Sequence, residues 1–531
     1  MTDVLAARNP YGAFGVCTPR LFHTEKACEM DMDVGRKKDG MLFRSIPCPR
    51  LRWLMEHREN AVCAEETVER QDAEEQVFVS AARYLGGGFE EPEGETQPER
   101  LAGTRKLLEQ KKNRIGDALF AFDDIVCRAD FLIGRPDGTF DVWLVCAGVH
   151  IRRAQLLHAA LVLEIMRENG VSVNEMRLLP LDPAYTPDGT EPLFCPKEIS
   201  GNPTVRGCGM HDRLMSYRKH RYAEAEPELP LREKCLLPEP CLALSHCAGC
   251  LSERNVFRLA GMTPREKLRL YQKGAVSFRQ ILESGEADAM GEDQRLQIDA
   301  AISGRPHIDR AAIRDFLGEL TFPLCFLDFE SYQPAVPLFP GTRPYESIPF
   351  QYSLHILPAP GQAPIHCAFL ADSSADPRRA LTEQLISDVP DNACLVAYGM
   401  DFEKSVLARL AELFPEHRNR LLAMRLRFHD MMRLFGRRAY YTAAMCGSAS
   451  LKHVLPALFP DDPALRYERP GAIKNGSEAM QTFAMLRGLS GEVRERLKQQ
   501  LLAYCALDTY GMVKIWEKLR SECAENAGTV E

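Results

Sequence analysis

From about residue 319 to 522, short apolar runs alternate with helical patterns, which predicts a mixed sheet flanked by helices. The first run, Cys325-Phe326-Leu327-Asp328-Phe329-Glu330-Ser331, carries two carboxylates two residues apart. A strand alternates its side chains, so Asp328 and Glu330 project from one face. Leu395-Val396-Ala397-Tyr398 predicts a short strand, followed by Gly399 and by Asp401-Phe402-Glu403 opening a helix. Phe428-His429-Asp430 ends a further apolar run. Near the C-terminus, Leu501, Leu502, Cys505, Met512 and Ile515 recur with helical spacing. Tyr504 and Asp508 stand four apart on that helix and share a face.

The first half has its own pattern. Phe122 to Leu132 predicts a strand with Asp130 in Arg128-Ala129-Asp130-Phe131-Leu132. Pro136-Asp137-Gly138-Thr139 predicts a hairpin turn into the strand Phe140–Cys146, and a helix then runs to about Met166. Gly86-Gly87-Gly88 through Pro98, rich in Gly, Glu and Pro, reads as a mobile loop. Residues 255–317 look wholly helical, with Thr263 as N-cap and Pro264 at the first helical position. The expected layout is an irregular segment 1–45, an α/β module 46–254, a helical connector 255–318, an α/β domain 319–522 and a tail 523–531.

A chain of 531 residues is too long for one core, which fits this division. Charged residues at 26% and hydrophobic ones at 45% are ordinary for a soluble protein. With no membrane-length apolar run and no signal-peptide pattern, the expected compartment is the cytoplasm. A net charge of −8 gives no overall attraction to nucleic acid, so binding there would need local patches.

Paired ionised acids repel each other and resist desolvation, so Asp328 and Glu330 need a counter-charge, most commonly a divalent metal. The same pattern also suits a half-exposed strand with no site. Acid pair, acid, and tyrosine plus acid, in that order, resemble the ribonuclease-H-like DEDD exonucleases of the tyrosine subclass. Asp328 and Glu330 match the first motif, Glu403 the second, and Tyr504 with Asp508 the third. Those families usually carry Asp at the second position, and Asp401 stands nearby as an alternative or as a helix N-cap. Asp430 resembles the extra acid before the third motif. Gly447-Ser448-Ala449-Ser450-Leu451-Lys452 resembles the family's Ser-Leu-Lys helix start, with Lys452 toward nucleic acid. The resemblance implies 3′–5′ hydrolysis of single-stranded DNA, or less readily RNA. Asp328, Glu330 and Asp508 would hold two Mg²⁺ or Mn²⁺ ions roughly 3.5–4 Å apart.

Eighteen cysteines in a chain without an export signal argue against a disulfide scaffold. Cys235, Cys241 and Cys247 are equally spaced, with Cys250 beyond, in a loop containing Pro238 and Pro240. With Cys48 as a fourth ligand they could form an iron–sulfur or zinc site, or remain free thiols. One cysteine before a module and three after it resemble the 4Fe-4S staple of RecB-like nucleases, a restriction-endonuclease-type fold. There the second strand carries Glu-x-Lys, but Leu144 and Cys146 occupy those places here, and neither replaces a hard ligand or an ammonium ion. Gln155 matches the family's helix glutamine, whereas Ala159 stands where a tyrosine often follows. This module is expected not to cut.

Arg418, Arg420, Arg425, Arg427, Arg433, Arg437 and Arg438 interleave with Phe428, Phe435, Tyr440 and Tyr441. That pattern suits phosphate tracking and base stacking, or equally a solvated helix face over core aromatics. Arg343 and His355 are further phosphate-contact candidates. Pro337-Leu338-Phe339-Pro340-Gly341-Thr342-Arg343-Pro344-Tyr345 and Ile348-Pro349-Phe350-Gln351-Tyr352-Ser353-Leu354-His355 make the layout similar to a bacterial family, domain of unknown function 2779. A non-catalytic nucleic-acid-binding or assembly protein is the alternative function. No residue motif points to a helicase or DNA-repair partner, and none to ATP use.

Overall fold

The computed structural model describes residues 48–58, 69–221, 224–237, 240–249, 251–467 and 472–524. The expected irregular segment 1–45, Cys250 and the last seven residues lie outside these. Two five-stranded sheets organise the described chain.

The first sheet has the order β1 (Arg114–Phe122), β2 (Ile125–Gly134), β3 (Phe140–Cys146), β4 (Val173–Pro180), β5 (Lys197–Glu198). The β1–β2 hairpin closes tightly, Phe122 opposite Ile125, with Asp123 at φ 55°. Gly138 takes φ 80° in the next turn, where Asp137 accepts from the Thr139 amide at 3.0 Å. β3 and β4 run parallel, so they need a crossover, and the helix Arg153–Glu168 supplies it. Its buried stripe, including Leu161, Val162 and Ile165, joins Val142 and Leu144 in one core.

The segment after Gly86 is a loop, as expected, and it is anchored at several points. Glu90 bridges to Ile115, the Arg114 guanidinium donates to the Leu85 and Gly87 carbonyls, and Thr96 caps the helix Gln97–Glu109. Composition indicated a loop; long-range pairing holds it.

Helices Pro264–Gln272, Phe278–Glu283 and Glu292–Ser303 form a small core of their own. Thr263 caps the first, with Glu266 closing a capping box. The connector is not wholly helical: β6 (His307–Ile308) pairs with β12 (Tyr440–Tyr441).

The second sheet has the order β11 (Phe428–Asp430), β10 (Cys394–Ala397), β7 (Leu324–Tyr332), β8 (Ile348–Leu357), β9 (Ile365–Leu370). β7, β8 and β9 are antiparallel neighbours, whereas β10 and β11 run parallel to β7. The central β7 is covered on both faces, hence its near-continuous apolar run. Leu324 and Phe326 pack with the long helix Gly491–Ala524; Cys325, Leu327 and Phe329 pack on the other side with Arg378–Asp388 and Asp401–Leu413. By alternation Asp328 and Glu330 fall on the long-helix face.

The β7–β8 loop docks the two halves together. Ala335, Val336 and Tyr345 enter a cluster with Phe78, Phe131 and Phe194, and the Tyr345 hydroxyl donates to the Ala147 carbonyl. Among the described residues no helix is long and apolar enough to cross a membrane.

Candidate metal centre

Four acids from three separate stretches of chain converge. Asp328 and Glu330 lie on β7 opposite Ser353 and Gln351. The helix Gly491–Ala524 crosses their face and brings buried Tyr504, Cys505 and Asp508. Glu403 comes from the first turn of the helix Asp401–Leu413, which starts just beyond β10. Glu330, Glu403 and Asp508 are buried and Asp328 is half-buried. Ligating atoms of Asp328, Glu330 and Cys505 all lie within 4.8 Å of one another.

At the second motif Glu403 is the buried acid, whereas Asp401 is exposed and is not the cap, a place taken by Met400. Glu403 Oε2 is buried without a hydrogen-bond partner. Asp430 accepts from the Gly399 amide at 2.9 Å and the Met432 amide at 3.0 Å, so it ties two turns together, and its charge acts on Glu403.

The electrostatics are those of like charges crowded together in a buried place. Burial, then the charges of Asp508, Glu330 and Glu403, holds the Asp328 carboxyl well above the carboxylate range. Glu330 is pushed up to about 8 by burial and by Asp508, against the pull of Lys452. Burial and the Asp430 and Asp401 charges push Glu403 up to about 8. Asp508 rises to about 6 through burial, restrained by a hydrogen bond from the Tyr467 hydroxyl and by Lys452. The Tyr504 phenol is raised by burial and the charges of Asp508, Glu330 and Asp328, so it keeps its proton. One exposed ammonium, Lys452, does not balance this set. Hard oxygen donors, a partnerless buried oxygen and unrelieved like charge fit divalent cations.

Two neighbours were not legible in the pattern. Tyr467 sits outside any periodic element yet holds Asp508, and the Cys505 thiol lies 3.4 Å from Asp328 Oδ2. Cys505 reads in sequence only as an apolar helix position.

The arginine-rich segment does not form a stacking surface. Phe428, Phe435, Tyr440 and Tyr441 are all buried in the cores under the sheet. Arg438 is buried as well, 4.6 Å from the Tyr441 ring centroid and donating to the Gly447 carbonyl at 2.8 Å, which removes it as a phosphate contact. Arg425 and Arg427 donate to the Lys404 and Asp391 carbonyls, although both are exposed. Arg418 and Arg437 are exposed. His355 is also excluded as a phosphate contact: it is buried and bonded to the Thr509 hydroxyl at 2.8 Å.

Cys48, just ahead of the helix Pro49–His57, gathers with Cys235, Cys241 and Cys247. Burial pushes the Cys247 thiol up to about 11, and the charges of Cys241, Cys48 and Cys235 act in the same direction against Arg50. Glu226 pairs with Arg50 at 2.6 Å and with His246 at 2.9 Å beside them. Among the described residues no three of these sulfurs come within 4.8 Å of one another, unlike the Asp328 group.

In the first sheet Asp130 is buried, paired with Arg128 and accepting from the Val145 amide at 2.7 Å. Leu144 and Cys146 lie in the core, and burial pushes the Cys146 thiol up to about 12. Gln155 Oε1 accepts from the Arg152 amide at 2.6 Å at the helix start. Asp130 is thus committed to protein partners, and its strand neighbours add no oxygen ligand.

No curated protein and no solved structure matches the chain. Residues 325–450 match the family described as "Domain of unknown function (DUF2779)", a span that holds Asp328, Glu330 and Glu403 but ends before Tyr504 and Asp508.

Proposed function

We propose that the protein is a metal-dependent 3′–5′ exonuclease acting on single-stranded nucleic acid, DNA in preference to RNA. The observation that carries this reading is the meeting of Asp328, Glu330, Glu403 and Asp508 with a protonated tyrosine, Tyr504, in one buried place. Three antiparallel strands followed by two parallel ones, with the acid-bearing strand central, suit the ribonuclease-H-like fold this chemistry uses.

Asp328, Glu330 and Asp508 would hold two divalent cations, with Glu403 completing the set. When bound, such ions acidify an attacking water and stabilise the departing oxygen. Tyr504 orients that water through its phenol O–H. Tyr467 fixes one oxygen of Asp508, leaving the other free to ligate. Lys452 sets positive charge at the mouth for the phosphate.

End-labelled DNA and RNA decamers incubated with Mn²⁺ or Mg²⁺ test this directly. Mononucleotides released stepwise from the 3′ end, and stopped by EDTA, are the expected result; intact oligonucleotides favour a non-catalytic binding role instead.

For the cysteines we propose a structural 4Fe-4S cluster joining the two ends of the first module. Cys48 precedes the module and the other three cysteines follow it, so a shared cluster would clasp both ends. Anaerobically purified protein should be brown with broad visible absorbance, lost in Cys241→Ser. A colourless preparation carrying stoichiometric zinc contradicts the assignment.

A further inference from the structure

A cavity of about 790 Å³ lies between the two modules, beside the metal centre but distinct from it. Tyr332 and Gln333 form one wall, two and three residues beyond Glu330. Gln481 comes from the helix Gly476–Met485. That helix begins over the acids, since a Cβ at Gly476 would sit 3.7 Å from Glu330 Oε2. At about 1.5 Å per residue, its cavity-lining part lies roughly 6–12 Å further on. The opposite wall is the segment following β3, with His150, Arg152 and Gln155. It directly continues β3, the strand of buried Leu144 and Cys146.

The chemistry of these walls is specific. Carboxamides are uncharged and offer both a donor and an acceptor, as the edge of a nucleobase does. Tyr332 presents a ring, held edge-on against Phe483 at 6.0 Å between centroids. Aromatic faces stack bases of any sequence. Phosphate binding would call for more positive charge than Arg152 supplies, with Glu74 on the same lining.

Building on the exonuclease reading, we propose that this cavity receives one or two unpaired bases of the strand whose end lies at Asp328 and Glu330. The first module then serves the reaction without cutting, because the segment after β3 completes the groove. Paired bases already use the edges that Gln333 and Gln481 would read, so the cavity selects single strands.

The test pairs binding with hydrolysis in the full chain carrying Gln333→Ala and Gln481→Ala. Affinity for fluorescent dT and rU decamers is measured in EDTA by anisotropy. Turnover with Mn²⁺ is measured on the same decamers and on the p-nitrophenyl ester of thymidine 5′-monophosphate, which has no neighbouring base. The variant should bind decamers about tenfold more weakly and show a KM about tenfold higher. Its kcat should stay within about twofold, and hydrolysis of the ester should not change. Unaltered decamer affinity overturns the proposal, as does equal loss on decamer and ester. If the unmodified protein hydrolyses neither substrate while the variant still binds decamers more weakly, the cavity assignment stands and the exonuclease reading falls.

Discussion

Asp508→Asn should abolish metal-dependent hydrolysis, by about a thousandfold or more, while raising the melting temperature of the metal-free protein by a few degrees. Both effects follow from one geometry. Asp508 is buried beside Asp328 and Glu330, and its charge is the largest electrostatic burden on each after burial itself. Asparagine removes that repulsion. It also keeps an acceptor for the Tyr467 hydroxyl, so that donor is not stranded. The same change deletes an anionic metal ligand, which no neighbour replaces. Asp328→Asn should behave alike, with the Cys505 thiol still able to donate to the amide oxygen. A structural acid would give the opposite pair of results: lower stability in EDTA and retained turnover. Differential scanning fluorimetry with and without Mn²⁺, beside the decamer assay, separates the two. Stability traded for a strained charged site is the usual signature of function.

The acids were legible because each motif is local: two residues apart on a strand, four apart on a helix, one at a helix start. Periodicity fixes which way such residues point once the element is known. Deciding between Asp401 and Glu403 required the third dimension, since both lie in one helical turn and only the turn's orientation toward β7 separates them. Tyr467 could not be found at all. It precedes a stretch without regular pattern, and its contact with Asp508 spans 41 positions.

The arginine segment shows how one pattern serves two ends. Aromatics spaced among cations read equally as stacking platforms or as core residues beneath a charged surface. Here Tyr440 and Tyr441 form a strand against His307–Ile308, and both rings are buried. The Gly86 region shows the same limit: composition gives the loop, whereas its pairing with Ile115 is a property of the fold.

The metal-free protein should lose stability as pH rises from about 6.5 to 8.5, and divalent metal should reverse the trend. Glu330 and Glu403 are pushed up to about 8 by burial first and neighbouring acids second. In the unfolded chain both return to about 4.3. Between these values the folded state binds more protons than the unfolded one, so their contribution is fully present at low pH and disappears on passing about 8. His355 acts oppositely. Burial, then His366, lowers it to about 4, so it costs stability only as pH falls below its unfolded value of about 6.5. Starting at about 6.5 therefore sets His355 aside, and Asp508, raised to about 6, is largely ionised there already. Metal ions must displace the protons on Glu330 and Glu403, so the rise in melting temperature on adding Mn²⁺ should grow with pH. Glu330→Gln combined with Glu403→Gln should make the EDTA profile shallower over the same window, the remaining slope belonging to Asp328 and the buried thiols. A melting temperature that is already flat in the unmodified metal-free protein would mean that these acids are solvated, and that the site does not concentrate the charge a pair of cations requires.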